Sequence, residues 1–298
     1  MQRIQTYLMR FILLIAVAIF IVSCERNIDI NLPEPEPMLV VDGFIDHGDY
    51  ARITISRSFP YFSEINLTDI SSLQQIFVAN ATVFISDGVI TDSCVFTIDP
   101  SSFPPVYYKG TNPALIGQAG KTYYLTIYAE GDTITSYTTI PPLVYLDSIY
   151  WKPDPVEPYK GFGWGHLTDP DTTGNIYRLF TKRQGYPYYV AAGSLSDKNF
   201  NGTSTAFSFS RPDPLPFYIP NNLPEDTARF FFVRGDTISV KFCTIDYRSY
   251  EFIRTYTSAA GSFGNPFSAP TFIKSNVNGA FGGFVGYGAT FYQYIVPQ

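Results

Sequence analysis

Short runs that alternate apolar and polar residues constrain this chain more than any other feature. Ala51-Arg52-Ile53-Thr54-Ile55-Ser56-Arg57 sets its isoleucines on one face and its polar groups on the other, the period-two pattern of a half-buried strand. Tyr123 to Tyr128 and Thr133 to Tyr137 flank Glu130-Gly131-Asp132, the clearest hairpin signal in the chain. Leu39 to Val41 ahead of Gly43, and Ala81 to Ser86 ahead of Asp87-Gly88, read the same way. In the second half Ile176 to Thr181, Tyr188 to Ala192, Ala206 to Ser210, Phe230 to Val233 and Thr237 to Thr244 are further strands. One segment follows the helical period instead. Tyr247, Tyr250, Ile253 and Tyr256 come after Asp246, a capping residue, which predicts a helix near 246–258 that Gly261 ends.

Many short strands with frequent turns predict a mainly all-β fold. Pro141-Pro142 divides it into two antiparallel β-sandwich domains. The first is immunoglobulin-like and covers 38–142; the second covers 143–298 and carries the one α-helix. After a connecting strand from Leu143 to Trp151, Pro153, Pro155 and Pro158 with Gly161, Gly163 and Gly165 predict a long loop. Aromatics are 17% of the chain and charged residues 15%, a balance suited to a sheet-rich exported protein.

The front end is an address rather than structure. Arg3 and Arg10 precede an apolar run from Phe11 to Val22, which is shorter than the ~20 residues that span a bilayer. Residues 1–23 read as a signal peptide ending in Ile21-Val22-Ser23-Cys24, which resembles the lipobox of bacterial lipoproteins. The resemblance implies a diacylglycerol on the Cys24 thiol, cleavage before it, and acylation of the new amine. Several acyl chains, at ~0.8 kcal/mol per buried methylene, hold a protein on a membrane far more firmly than one. Residues 24–37 then form a tether. Pro33, Pro35 and Pro37 fix the backbone, and Glu34 and Glu36 repel one another along it.

Removing the signal deletes two arginines and takes the net charge two units below the −6 of the whole chain. That acidity argues against nucleic acid as a partner. Cys94 and Cys243 lie far apart inside apolar runs, which favours free buried thiols over a bond linking the two domains. His47 and His166 stand in no spacing that binds zinc or serves a serine nucleophile. Asp42, Asp46 and Asp49 lack the loop pattern of a calcium site, so no metal and no cofactor is expected. Glu157, Asp169 and Asp171 fall near one another but read as solvated loop acids, and no enzyme is expected. Surface aromatics are the better clue. Tyr150 with Trp151, Tyr159, Phe162 and Trp164 forms a cluster whose rings either fill the interdomain core or contact a sugar or a protein partner.

Segments in order along the chain carry a resemblance. Val40-Val41-Asp42-Gly43-Phe44-Ile45 is followed by Ile53-Thr54-Ile55-Ser56-Arg57-Ser58 and Gly120-Lys121-Thr122-Tyr123-Tyr124-Leu125. Asn175-Ile176-Tyr177-Arg178, Asp197-Lys198-Asn199-Phe200-Asn201-Gly202 and Asn265-Pro266-Phe267 come next, and Ser275-Asn276-Val277-Asn278-Gly279 follows. Together they resemble the Bacteroidota lipoprotein family known as domain of unknown function four-two-four-nine. The resemblance implies a lipid-anchored outer-membrane protein, at the cell surface, beside a TonB-dependent receptor-like barrel. It carries no catalytic residues. The expected function is therefore a non-catalytic accessory subunit of an outer-membrane complex. A glycan- or nutrient-capture module feeding a transporter is the alternative, and a hydrolase comes behind both. Four Asp-Ser/Thr-apolar triplets, at Asp132, Asp147, Asp226 and Asp236, are similar to the O-glycosylation acceptor of that phylum; turn chemistry accounts for two of them unaided.

Overall fold

A computed structural model describes residues 36–59, 74–100, 102, 104–182, 187–211, 230–262 and 271–298. The first half supplies β1 (Leu39–Asp46), β2 (Arg52–Arg57), β3 (Thr82–Ser86), β4 (Thr91–Ser93), β5 (Val95–Ile98), β6 (Val106–Lys109), β7 (Thr122–Ala129) and β8 (Asp132–Thr139). The second supplies β9 (Ser148–Pro153), β10 (Lys160–Thr168), β11 (Ile176–Lys182), β12 (Tyr189–Ser196), β13 (Ser204–Phe209), β14 (Phe232–Val233) and β15 (Thr237–Thr244). The helix α1 (Tyr247–Ser262), β16 (Val277–Asn278) and β17 (Phe281–Ile295) complete it. The fold is mainly β, in antiparallel sheets with one principal helix, as the alternation predicts.

The local signals act where they stand. β7 and β8 close over Glu130-Gly131, whose φ angles of 53° and 92° match a two-residue turn that requires positive φ at both positions. Asp246 caps α1 by accepting from the Ser249 N–H at 2.7 Å, and it also accepts from the Thr139 N–H at 3.0 Å. The helix runs on through Gly261 to Ser262, four residues past the expected 258.

An eight-stranded sheet runs in the order β12-β11-β15-β17-β1-β2-β6-β5. A five-stranded sheet, β16-β8-β7-β3-β4, and a smaller one in which β10 pairs with β9, β13 and β14 complete the architecture. Among the described residues there are two large apolar cores and a smaller cluster of Ile176, Ile245, Ile253 and Val285. Val41, Ile53, Ile55, Leu125, Ile127 and Ile134 belong to the first; Val144, Leu146, Leu167, Leu179, Val240 and Phe242 to the second.

The cores change over near Pro142, where the sequence places its domain boundary, yet strand pairing runs across it. Pro37–Gln298 is one compact unit. The cause is β17, which is 15 residues long. Its first half, Phe281 to Tyr287, pairs in parallel with β1, and its second half, Gly288 to Ile295, pairs antiparallel with β15. One strand therefore completes the sheets of both halves. Phe284 enters the first core, while Tyr292 and Tyr294 pack on the second, so both cores lie against the even-numbered face of β17.

The odd-numbered face looks the other way. Register puts Asp42, Phe44 and Asp46 of β1 beside Gly283, Val285 and Tyr287, and Lys241 of β15 beside Phe291. Helix α1 covers part of this face, where Ile253 and Phe252 pack near Val285 and Tyr287. No helix among the described residues is long and apolar enough to cross a membrane.

Candidate functional site

The glycines expected to form a long loop lie in strand β10; only the short stretch before Lys160 turns. The reason is the spacing Gly161-Phe162-Gly163-Trp164-Gly165, which is period two with one face left bare. A Cβ at Gly163 would meet the Phe209 ring at 2.2 Å, and one at Gly165 would meet Phe207 at 2.8 Å. Large rings of the second core thus lie directly on the backbone. The opposite face of β10 carries Phe162, Trp164 and His166, and β9 sets Tyr150 beside Trp164 and Lys152 beside Phe162.

This outward face is aromatic and cationic. Tyr150 and Trp164 lie nearly parallel, 19° apart with centroids at 6.4 Å. Lys152 Nζ sits 3.8 Å from the Trp164 ring centre, and Lys160 Nζ sits 4.9 Å from that of Phe231. Phe162 rests against Phe231 at 4.7 Å. Tyr159, 45% exposed, stands on the turn that leads in. Trp151 points into the second core and donates its indole N–H to the Phe232 carbonyl at 3.3 Å. Four of the five clustered rings therefore face outward, and Trp151 is a core residue.

The second feature was not legible in sequence. On the odd-numbered face, Lys241 Nζ meets Asp46 Oδ2 at 2.5 Å, with both side chains about nine-tenths buried. Phe44, Phe180 and Tyr287 surround the same ammonium, their ring centres 4.8–5.6 Å away. Two cavities of about 450 and 480 Å³ share Phe44 and Tyr287 in their walls, and the pair lines the second. The first runs beneath α1, and Asp42 opens into it. Asp42 keeps an exposed surface there, while the protein packed around β1 desolvates its carboxyl and raises it above the ordinary carboxylate value. Only an aspartate inside the apolar run from Leu39 to Ile45 hinted at this in sequence.

The remaining candidates serve the scaffold. Asp169 is buried, accepts from the Tyr177 hydroxyl and from the Gly202 N–H at 3.1 Å, and Glu157 pairs with Lys160. Asp49 pairs with Arg52, apart from the Asp46–Lys241 contact. His47 accepts from the Ala119 N–H at 3.2 Å, and His166 meets Asp147 at 2.9 Å. The Thr168 hydroxyl and His166 hold the Asp147 carboxyl below its ordinary value. Cys94 and Cys243 are free and buried, and burial pushes each thiol up to about 12. Cys24, the signal peptide, most of the tether and the Asp226 triplet lie outside the described residues.

The family described as Domain of unknown function (DUF4249) matches residues 25–293. A search of curated proteins returns no match.

Proposed function

Because the chain belongs to the DUF4249 family, whose function is unknown, we propose its role from its own surface: a lipid-anchored, non-catalytic accessory subunit of an outer-membrane complex. The observation that carries this reading is the outward face built from Tyr150, Phe162, Trp164 and Phe231 with Lys152 and Lys160. Aromatic rings of this kind dominate protein interfaces because they bury much area at little entropic cost. Lys152 adds a cation to the patch while Lys160 is paired with Glu157, so an acidic group on the partner suits the Lys152 side. The lipobox at Cys24 and the proline-glutamate tether support a place on the membrane, against a TonB-dependent receptor-like barrel.

The test is affinity purification of the native lipoprotein from detergent-solubilised outer membranes. A barrel protein co-purifies with the parent and is lost with Trp164→Ala and Lys152→Glu. Recovery of the lipoprotein alone overturns the reading. Cys24→Ser should release the protein from the membrane fraction.

The near-parallel Tyr150–Trp164 pair favours one other occupant, since flat ring pairs stack on sugars. In that case a glycan array gives a signal that Trp164→Ala abolishes, and the role is glycan capture for a transporter.

A further inference from the structure

The guanidinium of Arg178 on β11 has no counter-ion among the described residues. Its one hydrogen bond there runs from Nη1 to the Ser194 hydroxyl at 3.3 Å, and its Nε is buried with no acceptor. The Phe180 ring centre lies 5.3 Å from Cζ, a contact that neutralises no charge. A guanidinium carries five donors in a rigid fork, and leaving them unused where water is partly excluded is costly. The backbone beside it is irregular. On β12, an edge strand of the eight-stranded sheet, Leu195 stands opposite Tyr177, Ala192 opposite Leu179 and Val190 opposite Phe180. The strand therefore holds one extra residue on each side of the Leu179–Ala192 pair, and the first of these bulges falls opposite Arg178. Bulges of this kind bend a strand and re-aim its side chains.

Helix α1 faces this edge across a cavity of about 480 Å³. Ile253, Arg254 and Thr257 follow one stripe of the helix into its wall, and Arg178 and Ser194 enter from the strands. No acid lines it. Arg254 pairs with Glu251, which Lys274 also meets, so that group of three stays net positive. Asp42 lines the neighbouring hollow, which shares only Arg178 and Ile253 with this one, and no hydrogen bond or ion pair joins it to Arg178. Ser194 accepts from Arg178 and keeps its own O–H to donate. We propose that this hollow binds a small organic carboxylate, with the Arg178 fork on its two oxygens, the Ser194 and Thr257 hydroxyls as further donors, and its apolar stem on Val190, Ala191 and Ile253. The fork matches a planar carboxylate in geometry as well as charge. The aliphatic part of the wall favours a stem that a bare hydrated ion lacks. The site lies on a different sheet from the aromatic docking face, so the two readings stand or fall separately.

The experiment is calorimetric titration, with saturation-transfer NMR, of the full-length lipoprotein in uncharged maltoside micelles. The probes are hexanoate and phenylacetate, each compared with its uncharged amide, and inorganic phosphate. At least one carboxylate binds in the millimolar range or tighter and exceeds its amide by about tenfold or more, the size expected of charge-assisted hydrogen bonds. Arg178→Gln removes that preference, while Lys121→Gln, at an exposed lysine beside Asp87, leaves it unchanged. Thr257→Glu, at an exposed position on the helix, sets a carboxylate in the hollow and displaces the ligand without disturbing a core; it decides the matter if Arg178→Gln does not fold. Absence of binding by both carboxylates, equal affinity for carboxylate and amide, a preference that survives Arg178→Gln or Thr257→Glu, or phosphate binding as tightly as the carboxylates overturns the proposal.

Discussion

Replacing Lys241 by methionine tests how the two halves of the chain are joined. Lys241 and Asp46 are 195 residues apart in sequence and meet at 2.5 Å, with side chains 10% and 11% exposed. Asp46 Oδ1 has no partner, so this ammonium is the only group that compensates the carboxylate among the described residues. Methionine keeps the length and fits the surrounding rings through its thioether, so packing is largely preserved and charge is what disappears. Removing one partner of a buried pair leaves the other charged and dry, which costs about 3–5 kcal/mol. For a body of this size that is a fall in Tm of roughly 6–15 °C. Asp46→Leu alone strands the lysine with a similar penalty. The double variant Lys241→Met/Asp46→Leu leaves no stranded charge and should return to within about 1 kcal/mol of the parent or exceed it. Urea titration of all four proteins gives the coupling energy directly. If Lys241→Met lies within about 1 kcal/mol of the parent, water hydrates Asp46 through the adjoining cavity and the pair is not a dry one. If the double variant loses the sum of the two singles, the coupling is absent. Either result refutes the reasoning.

Three further outcomes follow from particular contacts. Gly282→Ala should prevent folding or lower stability by several kcal/mol, because its φ is +119° and a Cβ would lie 1.9 Å from the Val41 carbonyl oxygen; a melting curve like the parent's would count against the β1–β17 pairing. Asp246→Ala removes a helix cap and the link to the Thr139 N–H together, and should cost about 2–3 kcal/mol in a denaturant titration, more than an ordinary cap. Cys94 and Cys243 have thiols raised from 9.0 to about 12 in the fold, so the stability they contribute is complete below pH 9. It is lost as pH rises from there towards 12, with the buried Tyr177 and Tyr287 hydroxyls shifted the same way. The urea midpoint should fall steadily between pH 9 and pH 11, and a flat midpoint would contradict the burial of these groups.

The amino-acid sequence by itself determined the elements whose causes are local. Alternation assigned β2, β7, β8 and β15, the Glu130-Gly131 pair closed its hairpin, and Asp246 started the helix, because each depends only on neighbours in the chain. The loop expected over Gly161 to Gly165 shows where that reading fails. Glycines punctuate most chains, yet here their alternate spacing makes room for Phe207 and Phe209, which arrive from another strand. Tertiary structure alone decided that the last strand pairs with the first. Backbone donors and acceptors are the same in every strand, so no local window names its partner; matching of buried faces across the whole chain does. The same pairing brings Asp46 to Lys241 and leaves Asp42 beside a residue without a side chain, and so it creates the charged, ring-lined face that no stretch of the sequence contains.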